Sequence, residues 1–393
     1  MKIVHAVENY FPSAGGMQEV VKQLSERLVA MGHDVTVVTK KHRERNFKEL
    51  NGVKIVGFEG SGNLVTGLKG EIENYCNYLL SSDADVITFF AAQQFTFDAA
   101  LDILPKLKAK KVSVPTGYSA FYNPDFKNYY DKMRSWIKEF DMSIYLSNNY
   151  RDINFARENG VKNLVIIPNG ADEKEFSGDH NKIDIRKKFN LTEDCFLVLH
   201  VGNYTGEKGH KEAIEIFLRS NLKNAALLMI GNNTDYFKKR SIFKYYKTGL
   251  LWLGKMFSSK KIILTPADRE TTLSAYKQAD LFLFPSNIEC SPIVLFEAMA
   301  AGTPFLVTDV GNSAEIAEWS HSGWVLPTTI NENRFSHAKI NESAEVLNKI
   351  YADKSVRDKM AAEGYKNWQE KFTWQKIAQR YEELYKNLLS KSA

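Results

Sequence analysis

The stretch Pro285–Glu315 reads PSNIECSPIVLFEAMAAGTPFLVTDVGNSAE, and the interpretation of the whole chain depends on it. Ser291 and Pro292 precede the apolar run 293–301. Serine is a good helix N-cap, and proline is well tolerated at the first helical position. We therefore expect a helix that begins at Pro292 and stops at Gly302, followed by a strand over 305–308.

Two glutamates flank the start of this expected helix. Glu289 lies in the loop before it, and Glu297 lies about one and a half turns inside it. The backbone N–H groups of Ile293 and Val294 in the first turn are a natural seat for phosphate. On spacing alone the pair could also arise by chance beside an ordinary helix start, so the rest of the chain has to decide.

Composition bounds the class of protein. A chain of 393 residues predicts two domains, and its formal charge of +5 favours small anionic ligands or a membrane surface without indicating nucleic acid. The cysteines are far apart, without a CxxC pair, which indicates a reducing cytoplasm rather than disulfides or structural zinc; they are Cys76, Cys195 and Cys290. We expect neither a signal peptide at the N-terminus nor a membrane span.

The first half begins with a strand over 2–7 and a turn-rich loop that contains Gly15 and Gly16. An amphipathic helix is predicted from about Gln18 to Met31, and a strand over 34–39. Because GxGxxG is absent, the dinucleotide fingerprint is not expected. Paired glycines let backbone approach a ligand closely, although a plain tight turn is an equal interpretation.

More strands follow at 53–58, 85–90, 111–115, 142–147 and 163–168. Strands that alternate with helical stretches predict right-handed crossovers and a parallel sheet. Ligands of such sheets bind at the carboxyl ends of the strands. Gln93, Thr116 and Tyr118 follow two of these ends, so they are candidate binding residues.

The pattern restarts after a turn-rich stretch, 168–172, and a polar stretch, 173–184, which together predict a linker between domains. A strand over 196–202 leads into a loop with Lys208 between two glycines, and a helix from about His210 to Leu218 follows. Further strands are predicted at 226–231, 261–265 and 280–285. Lys208 is well placed to neutralise a diphosphate, and a solvated surface lysine is the alternative.

Two further segments stand out. Tyr236–Phe257 mixes basic and aromatic residues, which is typical of helices that lie on a membrane surface and also of surface helices that pack on their own domain. Apolar residues at helical spacing predict that the end of the chain, from about Ala344 to Leu389, is helical.

Together these pieces resemble the retaining, nucleotide-sugar-dependent glycosyltransferases of family four. The motifs that carry the resemblance are PSAGGMQEVVKQLSERLVAMGHDVTVVT, IIPNGADEKEF, VGNYTGEKG, the Glu-x7-Glu block with EAMAAGTP, and WQKIAQRYEELY. The resemblance implies the GT-B fold, an α/β architecture in which two Rossmann-like domains face each other across a cleft and a C-terminal helix crosses back to the N-terminal domain. It implies an acceptor-binding domain, 1–168 with a helix of about 374–393, and a linker and nucleotide-sugar-binding domain, 169–373.

The resemblance also implies roles for individual residues. Lys208 and Glu289 would be catalytic, Lys208 at the diphosphate and Glu289 at the donor sugar, while Glu297 would take the ribose hydroxyls. The implied donor-binding set is Gly16, Asn203, Lys208, Ala267, Arg269, Glu289, Ser291, Ile293, Val294 and Glu297. The implied acceptor-side set is Gly15, Gly16, Gln93, Thr116 and Tyr118. No metal site and no cofactor are expected, because the nucleoside diphosphate sugar, of UDP or GDP type, is a substrate.

Two positions depart from the family pattern. Asn203 stands where the family usually has an arginine that shares the diphosphate charge, and Thr116 stands where it often has a histidine. Arg269 is one cation that we expect could compensate for the first change.

The leading hypothesis is a metal-independent, retaining hexosyltransferase. It would act on a glycan or lipid-linked acceptor in cell-surface polysaccharide or glycoconjugate synthesis, in the cytoplasm or at the inner membrane face. The alternatives are a GT-B pseudoenzyme that binds a partner transferase or an acceptor protein, and a sugar-nucleotide epimerase. The sequence leaves the oligomeric state open.

Overall fold

The structure is a computed structural model that describes residues 1–13, 15–177, 183–232 and 260–390. The basic and aromatic segment 236–257 lies outside these residues. The chain forms two compact units. Unit 1 comprises Met1–Asn169 and Trp374–Ala393, and unit 2 comprises Gly170–Thr373.

Unit 1 contains ten of the strands. They are β1 (Lys2–Ala6), β2 (Asp34–Lys40), β3 (Glu49–Leu50), β4 (Val53–Phe58), β5 (Gly60–Ser61), β6 (Lys69–Gly70), β7 (Val86–Phe90), β8 (Lys110–Val114), β9 (Met142–Tyr145) and β10 (Leu164–Ile166). Eight of them form one sheet in the order β10-β9-β8-β7-β1-β2-β4-β3. All neighbours in this sheet are parallel except β3 and β4. The central strand β7 is buried along its whole length, as expected when helices cover both faces.

The helices joining these strands are α1 (Gly16–Ala30), α2 (Ile72–Ser81), α3 (Phe95–Asp98), α4 (Lys127–Trp136) and α5 (Arg151–Glu158). Short 3₁₀ turns lie at Leu101–Lys106, Pro124–Phe126 and Ile137–Glu139. The apolar face of α1 is buried against the sheet, which is why its valines and leucines recur at helical spacing.

Unit 2 has a six-stranded sheet in which all neighbours are parallel, in the order β13-β12-β11-β14-β15-β16. Its strands are β11 (Phe196–Val201), β12 (Ala225–Ile230), β13 (Lys260–Thr265), β14 (Leu281–Phe284), β15 (Phe305–Thr308) and β16 (Gly323–Leu326), and an antiparallel pair adds β17 (Thr328–Ile330) and β18 (Ser336–Ala338). Among its described residues the helices are α6 (Glu173–Ser177), α7 (Ile185–Lys188), α8 (His210–Arg219), α9 (Arg269–Gln278), α10 (Ile293–Ala301), α11 (Ser313–Ser320), α12 (Ile340–Ala352) and α13 (Lys354–Asn367).

The chain returns to unit 1 through its last helix, α14 (Trp374–Ser390). Tyr385 of this helix is buried, and its hydroxyl lies 2.6 Å from Thr88 Oγ1 on β7. Glu382 accepts a hydrogen bond from His33, just beyond α1, at 2.9 Å. The predicted return of the C-terminal helix to the N-terminal domain is therefore confirmed.

Two predicted segments differ from the structure. The stretch 173–184 is not simply a polar linker, because Glu173–Ser177 is helical and buries Phe176 in the core of unit 2. The helical C-terminal segment begins earlier than predicted, at Ile340. It is interrupted at Asp353, whose carboxylate caps the next helix, and again by a wider helical turn over Trp368–Phe372.

The strand order locates the places where ligands bind in such folds. In unit 2, β11 has β12 on one side and β14 on the other, so the direction of chain progression reverses between β11 and β14. Ligands of open parallel sheets bind at this reversal, outside the carboxyl ends of the strands. In unit 1 the reversal lies between β1 and β7. The loops to inspect are therefore those after β11, β14, β1 and β7.

Candidate functional site

Residues 202–209 form the loop after β11. Its last residue, Gly209, has a φ of 68°, and a Cβ there would lie 1.9 Å from the carbonyl oxygen of Pro285. Only glycine tolerates both the left-handed conformation and this approach. The N–H of Asn287 also donates to the carbonyl of Glu207 at 2.8 Å. The loop is therefore fixed against the segment that follows β14.

Lys208 and Glu289 form an ion pair at this junction. The Lys208 ammonium lies 2.6 Å from Glu289 Oε1, and the Ser286 hydroxyl donates to the same oxygen at 2.9 Å. The Lys208 side chain is 30% exposed and that of Glu289 is 11% exposed. A ligand entering from solvent can therefore reach the lysine, while the carboxylate behind it is held in place by a hydroxyl that reaches it from the loop after β14.

The helix after Glu289 begins one residue later than predicted. Pro292 has an extended ψ of 115° and is the N-cap, so Ile293 is the first helical residue. Ser291 does not cap the helix; its hydroxyl accepts a hydrogen bond from Asn312 Nδ2 at 3.1 Å. The helix stops at Gly302, as predicted. The first-turn N–H groups of Ile293 and Val294 thus follow directly on the Glu289 segment.

Glu297 is paired with Arg269. Arg269 Nη2 lies 2.7 Å from Glu297 Oε1, and its Nε donates to Glu175 Oε1 at 3.0 Å. Burial alone would lower the pKa of Arg269, but the two carboxylates outweigh it and raise that pKa. Glu297 is 7% exposed. The guanidinium therefore pairs with these two carboxylates. This arrangement does not show it compensating for the neutral side chain of Asn203.

The remaining donor-side residues lie in loops. Asn203 is exposed, and its carbonyl accepts a hydrogen bond from the N–H of Thr205 at 2.8 Å. Ala267 is partly buried against the core of unit 2. It follows β13 and precedes Asp268, whose carboxylate caps α9 by accepting from the N–H of Thr271 at 2.7 Å. Because Asn203 is neutral, Lys208 is the one cationic residue of the sequence 202–209.

The predicted acceptor-side residues all belong to unit 1. Gly15 is the N-cap of α1 and Gly16 is its first residue. Gln93 and Thr116, after β7 and β8, have φ angles of 68° and 60°, which are uncommon for residues with a side chain and rarest for a β-branched one. Such backbone strain is concentrated at functional loops.

Tyr118 differs from the others because its side chain is 2% exposed, packed against other aromatic rings. Any contact of this residue with a ligand would have to come from its backbone. The amide of Gln93 is also engaged: Nε2 donates to the Tyr130 hydroxyl at 2.9 Å, and Oε1 accepts from the Ser119 hydroxyl at 3.2 Å. Gln93 therefore ties the loop after β7 to the loop after β8.

Two buried carboxylates that sequence reasoning missed hold these loops. Asp98 accepts hydrogen bonds from the Gln93 N–H at 3.0 Å and the Tyr129 hydroxyl at 2.8 Å, and Asp152 accepts from the Gly117 N–H at 2.7 Å. Burial raises the pKa of each carboxyl to about 6, against the opposing effect of these hydrogen bonds. No periodicity or motif marks them, because Asp152 bonds backbone that is distant in sequence, and Asp98 joins a nearby N–H to the distant hydroxyl of Tyr129.

Two residues of the donor-side geometry were also missed. Ser286 directly follows the predicted strand end at Pro285, so its position beside the site was the signal that could have found it. Glu175 lies in the stretch predicted to be a linker, and its sequence gives no sign that it reaches Arg269.

Among the described residues, no group of three or more His, Cys, Asp or Glu side chains could hold a metal ion. No helix in the described ranges has the length and apolar character needed to cross a membrane.

Comparison with known proteins gives two family matches. Residues 14–175 match the model described as Glycosyltransferase Family 4, and residues 181–367 match that described as Glycosyl transferases group 1. The chain is 25% identical to an uncharacterized glycosyltransferase of Methanocaldococcus jannaschii, over 98% of each chain. It is also 25% identical to the lipopolysaccharide glucosyltransferase WaaG of Escherichia coli, over 91% of each. The structure of Anabaena HepE in complex with UDP and glucose matches with a TM-score of 0.71 and 14% identity, covering 98% of this chain and all of that one.

Proposed function

We infer that this chain, which belongs to the family-four glycosyltransferases of GT-B fold, transfers a sugar from a nucleoside diphosphate to a glycan or lipid-linked acceptor in cell-surface polysaccharide or glycoconjugate synthesis. The observation that carries the proposal is the Lys208–Glu289 pair at the reversal of strand order between β11 and β14 in unit 2. The first turn of α10 follows this pair directly. The geometry combines a cation and helix N–H groups, which suit a diphosphate, with a carboxylate, which suits sugar hydroxyls.

Donor binding would exchange the partners of Lys208. Its ammonium neutralises Glu289 in the structure, but a diphosphate brings more negative charge to the same place. We propose that the ammonium turns to the diphosphate, while Ser286 keeps Glu289 in position. Glu289 then accepts hydrogen bonds from the donor sugar. Glu297, held by Arg269, accepts hydrogen bonds from the ribose hydroxyls.

The reaction breaks the bond between the anomeric carbon and the diphosphate oxygen. The sugar becomes oxocarbenium-like, and the new bond to the acceptor oxygen forms on the face that the diphosphate leaves, so the configuration is retained. The acceptor's proton passes to the departing phosphate oxygen. Lys208 and the N–H groups of Ile293 and Val294 stabilise the negative charge that develops there, without a metal ion.

The place of action follows from the same proposal. A relative of nearly equal length is a lipopolysaccharide glucosyltransferase. We propose that this chain likewise extends a cell-surface glycan, at the cytoplasmic face of the membrane where nucleotide sugars are available. The formal charge of +5 is consistent with an anionic lipid surface.

The test is donor turnover by the purified chain. UDP- and GDP-sugars are supplied one at a time, with and without a lipid-linked glycan acceptor, and released UDP or GDP is measured. We expect slow hydrolysis of one donor class, accelerated by an acceptor, and retained configuration in the product. No turnover together with no calorimetric binding of UDP or GDP would overturn the proposal and favour a non-catalytic scaffold. Epimerised donor without transfer would favour the epimerase.

A further inference from the structure

His210, the first residue of α8, closes the loop that carries Lys208. Its Nε2 lies 3.0 Å from the carbonyl oxygen of Gly202, where the loop begins. A carbonyl only accepts, so Nε2 carries the hydrogen and donates. Gly209, where the loop ends, is the residue immediately before His210. One side chain therefore joins the two ends of the loop.

The His210 ring is held by other buried rings. Its centroid lies 4.4 Å from that of Tyr204 and 4.5 Å from that of His200. The Tyr204 hydroxyl donates to the carbonyl of Met229 at 3.1 Å, and His200 Nδ1 donates to that of Leu283 at 2.8 Å. All three rings are buried. The donor on His210 is thus aimed by packing as well as by its own hydrogen bond.

Both imidazoles are neutral in this environment. Burial lowers the pKa of His210 to about 4 and that of His200 well below its ordinary value, and the nearby Lys208 charge acts in the same direction. A neutral His210 ring can hold the lysine loop without repelling the Lys208 ammonium. That ammonium therefore stays available to an anionic ligand on the exposed side.

We propose that His210 is a positioning residue for diphosphate recognition, because its bond to Gly202 fixes the loop that carries Lys208. The inference rests on the proposed function. Lys208 is the one cation in the sequence 202–209, since Asn203 is neutral, so a small displacement of this loop removes its only charged contact with a diphosphate. A neutral hydrogen bond of this kind contributes modestly to stability, and its effect on orientation is what a ligand detects.

The test compares His210→Phe, which keeps a ring and loses the donor, with His210→Gln, which restores an N–H donor at similar reach. The matched control is His5→Phe in unit 1, since His5 is also a buried histidine, with Nδ1 2.8 Å from Ser25 Oγ and Nε2 3.4 Å from the Tyr385 hydroxyl. Calorimetry measures the affinity of each protein for UDP, GDP, uridine and guanosine. Amide hydrogen exchange of 203–208 is measured without nucleotide.

We expect His210→Phe to weaken nucleoside diphosphate binding by about tenfold, which corresponds to about 1.4 kcal/mol, and to leave nucleoside binding unchanged. Exchange in 203–208 should be faster in this variant. His210→Gln should restore both to wild-type behaviour, and His5→Phe should change neither.

Equal weakening of diphosphate and nucleoside, or failure of His210→Gln to restore the difference, would overturn the inference and leave His210 a purely structural residue. If the wild-type protein binds the diphosphate and His210→Phe binds it with the same affinity, the inference alone is overturned. Wild-type protein that binds neither diphosphate overturns the proposed function and, with it, this role of His210.

Discussion

Arg269 Nη2 lies 2.7 Å from the Glu297 carboxylate, and Arg269 Nε donates to Glu175 Oε1 at 3.0 Å. One arginine therefore balances two carboxylates from different parts of the chain. A ribose that binds Glu297 would meet a carboxylate already oriented by this arginine. The pairing should influence both the stability of unit 2 and its selectivity for ribose.

Arg269→Met should weaken both properties. Removing the guanidinium leaves Glu297 and Glu175 without their shared cation. Because the Arg269 side chain is 45% exposed, we expect a loss of about 1–2 kcal/mol rather than the larger loss of a fully buried pair. Thermal unfolding measures the first effect, and the ratio of affinities for UDP and 2′-deoxy-UDP measures the second.

The control for this variant is Arg219→Met. Arg219 is exposed on the same unit, and its Nη1 donates to a surface amide oxygen, Asn341 Oδ1, at 2.7 Å. It should change neither quantity. If Arg269→Met keeps the wild-type preference for ribose, Arg269 does not orient Glu297 for a nucleoside.

Lys208→Met should lower turnover by about 100-fold or more, the usual effect of removing one group that stabilises developing charge. Glu289→Gln should also be slow. Because the two side chains are paired at 2.6 Å, the double variant should be hardly slower than Lys208→Met alone. Steady-state release of nucleoside diphosphate measures all three.

Lys211→Met supplies the matched control, since Lys211 is an exposed lysine in the first turn of the adjacent helix α8. It should retain wild-type turnover. Independent, multiplying effects of the Lys208 and Glu289 substitutions would contradict a paired role.

Most of the parallel strands were predictable because they are buried on both faces and give continuous apolar runs, whereas β16 and the short antiparallel strands were not predicted. The strand over 305–308, for example, was predicted to the residue. The helix after Glu289 was displaced by one residue, since Ser291 bonds Asn312, far along the chain, instead of capping. Local propensity contains no information about such a partner.

The same limit applies to the site. The motif placed Lys208 and Glu289, and the structure brings them together. Glu175 and His210 could not be found from sequence, because their effects depend on contacts made through the fold. Tyr118 shows the same limit: its place after a strand suggested a ligand contact, and sequence did not reveal that packing buries its side chain.

Gly209→Ala should damage both fold and site. A Cβ at this position would lie 1.9 Å from the Pro285 carbonyl, so the Lys208 loop would have to separate from the segment that carries Glu289. We expect a loss of about 2–4 kcal/mol, combining left-handed strain with the clash, and little remaining turnover. Chemical denaturation and donor hydrolysis measure the two effects.

Gly206→Ala separates strain from collision. Gly206 has a φ of 92° in the same loop, but nothing lies within 4 Å of a Cβ placed there. It should cost about 1–2 kcal/mol and retain most of the turnover. Equal loss of turnover in both alanine variants would show that the Gly209 contact with Pro285 is not what matters.

The buried carboxyl of Asp98 should make unit 1 less stable as pH rises. Its pKa is raised to about 6 by burial, above the unfolded value of about 4. The folded state therefore binds more protons between these values, so the stability from this group is fully present below about pH 4 and is lost as pH rises to about 6.

Asp98→Asn keeps an acceptor for the Gln93 N–H but cannot ionise. Relative to wild type, the variant should gain about 1–3 kcal/mol between pH 4 and pH 7 in denaturant unfolding. Other titrating groups, such as His5, are common to both proteins and cancel in the difference. A stability difference that stays constant with pH would mean that folding does not shift the pKa of Asp98, and one that moves in the opposite direction would mean that its carboxylate is better stabilised in the fold than in water.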